Sequence, residues 1–250
     1  MATYIISDIH GCFDTFQALL NKINFSNNDK LYILGDIIDR GPKSYEMYQW
    51  VKNRYNKNVF MILGNHEELF NENILDVQKT PKYNTISEEQ KTKYFKDTLE
   101  LLSRFGTDQY GTIGDLLQTH SANDILEMFD FFCKLPLYYE INMNNTIWTL
   151  VHASCTLPLE KTSKNTFIWD RNLTMPGFGI KGKNIIFGHT PTICEEYNFE
   201  GGIQYEEGYI LKEKYVKINI DCGCVWKDKN SKLGILRLDD MNDFYQDNID

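Results

Sequence analysis

Five short stretches of the 250-residue chain carry side chains that suit a metal ion. They are Asp8-Ile-His10-Gly11, Gly35-Asp36-Ile-Ile-Asp39-Arg40-Gly41, Gly64-Asn65-His66-Glu67, His152 and Gly188-His189. Four of the five histidines belong to them; only His120 does not. Carboxylate, imidazole and amide oxygen together suit a borderline divalent ion such as manganese, iron or zinc. A carboxylate can bridge two cations through its two oxygens, and Asp36 is the natural bridge here. Hydroxide held between two cations is a strong nucleophile at neutral pH, so hydrolysis is the chemistry to expect. Singly, each stretch is weak. A Gly-Asp pair after a strand is usually a turn, and a lone buried histidine usually satisfies a core hydrogen bond. The conjunction carries the reading.

Each stretch follows an apolar run. Residues 4–7, 31–34, 59–63, 147–151 and 185–187 read as buried strands. Every candidate ligand therefore stands where a strand ends and a loop begins, the edge at which open α/β sheets bind ligands. Asp8 and His10, two residues apart, can point the same way from a strand end. Between the first three runs, Phe13, Phe16, Leu20 and Ile23, then Ser44, Met47, Val51 and Tyr55, recur at helical spacing. That alternation predicts parallel strands with right-handed crossovers.

Residues 66–135 read as a helical insertion over one edge of the site, within a single domain spanning 1–250. Ser87-x-x-Gln90 resembles a capping box opening a helix with Phe95, Leu99, Leu102 and Phe105. Ser121 to Asp124 is a cap for Ile125, Met128, Phe129 and Phe132, and Pro136 stops that helix. Val216, Ile218 and Ile220 alternate as in a half-exposed strand. Residues 233–238 are expected to pair with it across a charged turn at 227–232. Residues 198–209 read as a loop shaping the groove.

The bulk numbers exclude more than they identify. A net charge of −9 supplies no basic footprint for nucleic-acid backbone. No apolar run reaches the roughly 18–20 residues that span a membrane. Six scattered cysteines and no visible signal peptide fit reduced thiols and a cytoplasmic protein.

Taken together, the five stretches resemble the calcineurin-like metallophosphoesterases. The Asp39-Arg40-Gly41 form of the second stretch is similar to the phosphoprotein phosphatase (PPP) branch, including its bacterial and phage members. The resemblance implies a four-layer α/β/β/α sandwich of two mixed sheets. It implies two divalent metals, manganese first and iron or zinc as alternatives. Asp8, His10 and Asp36 would hold one, and Asp36, Asn65, His152 and His189 the other. Arg40 would bind phosphate oxygens. Arg171, in Trp169-Asp170-Arg171, would do the same. His66 would protonate the leaving oxygen, oriented by Asp39. The implied reaction is in-line attack of a metal-bridging hydroxide on a phosphate monoester, either phosphoserine or phosphothreonine in a protein or a small phosphoester. Two other readings stand beside it: a dinucleoside tetraphosphate hydrolase and a catalytically inactive binding module. Asp221-Cys222-Gly223 would wall the pocket, and Cys12 and Cys155 would pack beside it.

Overall fold

In the N-terminal strands, apolar side chains alternate between two destinations, and this sets the layers. Tyr4, Ile6, Leu31, Ile33, Val59 and Met61 enter one core with the helices, while Ile5, Tyr32, Leu34 and Ile62 enter another. The second core also takes Trp148, Leu150, Ile186 and Ile218. Two sheets are thus packed face to face, and strands buried on both sides must be apolar throughout.

This computed structural model describes the chain except for residues 79–81, 83, 84, 88, 89, 92, 99–111, 199, 227 and 229. The first sheet has the order β10 (Asn242–Gln246), β9 (Leu233–Arg237), β1 (Thr3–Ile6), β2 (Lys30–Ile33), β3 (Val59–Met61). The second has the order β4 (Tyr138–Met143), β5 (Thr146–Val151), β6 (Asn184–Phe187), β8 (Glu213–Asn219), β7 (Gln204–Ile210). β1, β2 and β3 are parallel, as are β5, β6 and β8. Helices α1 (Phe13–Lys22), α2 (Ser44–Arg54), α3 (Asn65–Gln78), α4 (Thr112–Thr119) and α5 (Ala122–Phe132) cover the outer face of the first sheet. The short α6 (Lys164–Trp169) covers the second, where Phe167 and Ile168 meet Val151, Ile185 and Phe187. The result is the four-layer α/β/β/α sandwich.

The expected cap of α5 is present. The Ser121 hydroxyl accepts from Asp124 N (3.3 Å), and the Asp124 carboxylate accepts from Ser121 N (2.9 Å). At Ser87 the Gln90 side chain accepts from Ser87 N (3.3 Å), and Phe95 is buried. Leu99, Leu102 and Phe105 lie outside the described residues.

Two expectations fail. Residues 233–238 do not pair with β8: β9 lies antiparallel to β1 in the other sheet, with Ile5 opposite Leu236. Leu233 and Ile235 face the helices while Leu236 faces the second sheet, so this strand is buried on both sides and needs a central position. β8 pairs instead with β6 and β7. The stretch 198–209 is not all loop either, since Gln204 onward forms edge strand β7.

Candidate metal centre

The five stretches meet at the ends of β1, β2, β3, β5 and β6. Their backbones are unusual: Asp8, His10, Asp36, Asp39, Arg40 and His189 all have positive φ, from 49° to 71°. Left-handed backbone costs a non-glycine residue about 1–2 kcal/mol, and such residues persist only where their surroundings over-determine them. Here the loops bind one another. Asp8 N donates to Gly35 O (3.2 Å), His10 N to Asp36 O (2.9 Å) and Gly11 N to Ile37 O (2.8 Å). Gly35 has φ +91°, and a Cβ there would lie 2.6 Å from Gly64 Cα. A Cβ on Gly188 would lie 2.3 Å from the Asp8 carboxylate. Both motif glycines are therefore required by close approach.

Asp36 is central. Its Oδ2 has His152 Nε2 at 3.5 Å and His10 Nε2 and His66 Nε2 each at 3.8 Å. Its Oδ1 accepts from His66 N (3.0 Å). Two groups of possible metal donors share it: His10, Asp36 and His66, and Asp36, His152 and His189, with donor atoms in each group within 4.8 Å of one another. The first group contains His66 where the resemblance implies Asp8. Asp8 nevertheless borders the centre, since its Oδ2 accepts from His189 N (3.0 Å) and from the Ser7 hydroxyl. All six residues expected as ligands are brought together, and each is at most 7% exposed.

The donor set fits cations on its chemistry. His10 Nδ1 faces Ile38 O (3.0 Å) and His152 Nδ1 faces Leu34 O (2.7 Å). A carbonyl only accepts, so each Nδ1 carries the proton and each Nε2 presents a lone pair. His152 Nε2 and His189 Nδ1 both stand 2.8 Å from Asn65 Oδ1. His152 Nε2, whose proton is on the other nitrogen, turns a lone pair to that oxygen, a contact that repels unless a cation lies between them. Burial, reinforced by neighbouring imidazoles and arginines, pushes His66 and His189 down to about 2 and His10 well below its usual value. Burial also lowers His152. Neutral imidazole is the ligating form. Burial and the facing carboxylates of Asp8 and Glu67 push Asp36 well up, and burial and Asp8 do the same to Asp221. Buried like charges without a counter-charge are costly, and divalent cations would supply it.

The remaining expected residues are also at the centre. Arg40 lies between two imidazoles, with NH1 donating to His10 Nε2 (3.1 Å) and NH2 to His66 Nε2 (3.2 Å). His66 Nδ1 meets Asp39 Oδ2 at 2.7 Å. Burial pushes Asp39 up to about 7, although Thr112 and Arg40 favour its ionised form. Arg171 is held at the rim, its NH1 donating to Thr190 Oγ1 (2.7 Å). Cys12 and Cys155 are buried free thiols, Cys155 pushed up to about 12 by burial.

Two residues have roles their sequence position does not disclose. Glu67 is fully buried, and its carboxylate accepts from Asp36 N (2.9 Å), Ile37 N (2.9 Å) and Gly64 N (3.1 Å). It ties the second stretch to the third. Its place in Gly64-Asn65-His66-Glu67 was the only signal available. Thr112, at the start of α4, donates its hydroxyl to Asp39 Oδ1. Nothing in the sequence marks a contact across 73 residues.

Comparison with known proteins agrees with this geometry. The sequence profile described as calcineurin-like phosphoesterase matches residues 1–193. A symmetrical bis(5'-nucleosyl)-tetraphosphatase of Buchnera aphidicola subsp. Baizongia pistaciae is 50% identical over 68 residues, covering 27% of this chain and 24% of that protein. The same enzyme of Actinobacillus pleuropneumoniae serotype 5b is 45% identical over 80 residues, covering 32% of this chain and 29% of that protein. These matches thus span under a third of the relatives' length. Among solved structures, a Saccharomyces cerevisiae serine/threonine phosphatase with similarity to human PP5 superposes with TM-score 0.59 at 17% identity, covering 100% of this chain and 81% of that one. A Sphaerobacter thermophilus metallophosphoesterase gives 0.51 at 17% identity, covering 100% and 88%. Both likenesses concern the fold.

Proposed function

Since the chain belongs to the calcineurin-like phosphoesterase family, we propose that it is a metal-dependent phosphoric ester hydrolase whose substrate is a dinucleoside tetraphosphate cut symmetrically. The sharing of Asp36 by two donor groups carries the metal part of this reading. Asp8, His10, Asp36, Asn65, His152 and His189 would hold two divalent ions, with manganese preferred over iron or zinc. Those ions supply charge against the phosphoryl oxygens and lower the pKa of water. The matched tetraphosphatases support the substrate, over the segment that matches.

The chain's own residues do the rest. Arg40 and Arg171 present guanidinium groups on either side of the centre and clamp phosphate oxygens. A phosphate that draws Arg40 away frees His66 Nε2, the atom that then faces the leaving oxygen. Asp39, 2.7 Å from His66 Nδ1, orients the ring and supplies the counter-charge for its protonated form. The two arginines stabilise charge that grows on the phosphoryl group, beside what bound cations would supply; such stabilisation is the dominant catalytic contribution in phosphoryl transfer.

A second reading, hydrolysis of phosphate monoesters including phosphoserine and phosphothreonine, rests on the same Asp39–His66 pair. A serine alkoxide is a poor leaving group and needs a proton, whereas a nucleoside diphosphate leaves as a stable anion. Steady-state kinetics of the manganese enzyme on diadenosine tetraphosphate, a phosphoserine peptide and p-nitrophenyl phosphate decides between them. The tetraphosphate should give the highest kcat/KM, with ADP as the sole nucleotide product. A phosphopeptide preferred over it would establish the second reading. No helix of the described residues is long and apolar enough to cross a membrane.

A further inference from the structure

Of the four tryptophans, Trp148 is buried between the sheets and Trp50 packs against the helical core. The other two are open to solvent, Trp169 at 37% and Trp226 at 54%, and both touch the candidate centre. The Arg40 guanidinium lies over the Trp226 ring, 5.2 Å from its centroid. Trp169 meets His189 edge-on, with centroids 6.0 Å apart. These contacts fall on different donor groups. Arg40 reaches His10 and His66 of one donor group, and His189 belongs to the other. Each flank also carries one arginine, Arg40 beside Trp226 and Arg171 two residues after Trp169. An open indole gains little from water, but it gives a nucleobase a stacking face without regard to base identity.

On the footing of the tetraphosphatase reading above, we infer that Trp169 and Trp226 are base-stacking platforms, one on each flank of the metal centre. A dinucleoside polyphosphate has two bases and a phosphate chain between them. The arrangement matches it part for part: phosphates on the cations and arginines, and a base on each tryptophan. Scission at the middle then leaves one nucleoside diphosphate on each flank. A cavity of about 300 Å³ beside Arg40 is the competing base site. It suits a nucleotide less well. Its aromatic wall, Tyr45 and His120, is already packed ring on ring at 3.8 Å, and Glu46 and Asp115 line it with negative charge.

The test compares diadenosine tetraphosphate with inorganic tetraphosphate, which has no bases, in the manganese enzyme. Trp169→Ala and Trp226→Ala should each lower kcat/KM for the dinucleotide by about 5- to 150-fold, the equivalent of one base stack. That loss should exceed the loss on inorganic tetraphosphate at least fivefold, and Trp→Phe at either position should recover most of it. Independently of turnover, ADP should quench tryptophan fluorescence more than pyrophosphate does, and the difference should disappear in the double alanine variant. Equal losses on both substrates would overturn the proposal, because the tryptophans would then act only through Arg40 and His189. A differential loss in Tyr45→Ala but not in Trp226→Ala would move the base to the cavity and also overturn it. A wild-type enzyme that cleaves phosphomonoesters but no dinucleotide would refute the substrate reading itself, a distinct outcome.

Discussion

Glu67→Gln separates loop positioning from folding. In the wild type, Glu67 Oε2 accepts two backbone N–H groups and Oε1 accepts one. Glutamine has one oxygen. Placed at Oε2 it keeps two bonds, and its NH2 then confronts Ile37 N–H donor to donor. An unsatisfied buried donor costs about 1–3 kcal/mol. Against this, the substitution removes a buried charge. Burial, only partly offset by the three N–H bonds, pushes Glu67 from 4.5 up to about 7, which corresponds to about 3 kcal/mol when it is ionised. The two effects are of similar size, so the metal-free variant should be nearly as stable as wild type above pH 7. Between about 4.5 and 7 the native wild type retains a proton that the unfolded chain has lost, so this group's contribution to stability falls as pH rises. Relative to wild type, the variant should therefore gain stability across that window, as read by urea unfolding of the metal-free proteins. The loop consequence differs, because the bonds from Asp36 N and Ile37 N to Glu67 hold the Asp36 loop in register. Loss of such an outer partner typically lowers metal affinity about 10- to 100-fold. Calorimetric titration with manganese would read it. Unchanged affinity with a large loss of stability would refute the positioning role.

Three further variants probe the acid and the clamps. His66→Asn should slow alkyl phosphates by about 10²- to 10⁴-fold and aryl phosphates far less, because phenolate leaves without a proton; equal losses remove His66 from that role. Arg171→Ala should reduce kcat/KM by about 10- to 100-fold, the worth of a charged hydrogen bond of about 1.5–3 kcal/mol, and Arg171→Lys should recover only part; an unaffected enzyme makes Arg171 a surface residue. Thr112→Val removes the hydroxyl held by Asp39 and should sharpen the dependence of rate on leaving-group basicity, with Thr112→Ser restoring it; a uniform loss over all leaving groups would make Thr112 merely structural.

The N-terminal half of the sheet system was legible because β1, β2 and β3 are buried on both faces and read as unbroken apolar runs. Their polar successors, Asp8, Asp36 and Asn65, then stand out by contrast. Edge strands lack that contrast. β7 reads Gln-Tyr-Glu-Glu-Gly-Tyr-Ile and is half-exposed along its length, so its pattern does not distinguish it from loop. β4 and β10 share the same weak alternation. The misplacement of β9 has another cause. Its strand character was evident, but which sheet takes it depends on Ile5 and Leu236 meeting across more than 200 residues, and local pattern holds no such information. In the centre, residue type picked out buried side chains that the fold brings together. It did not disclose Glu67 or Thr112, whose importance lies in the backbone and side-chain groups they reach.

The bridge at Asp36 is the central claim, and counting metals tests it most directly. Metal-free protein dialysed against excess manganese and measured by inductively coupled plasma mass spectrometry should hold two ions per chain, and Asp36→Asn fewer than one. Two ions retained by Asp36→Asn, or fewer than two bound by the wild type at saturation, would contradict the shared carboxylate.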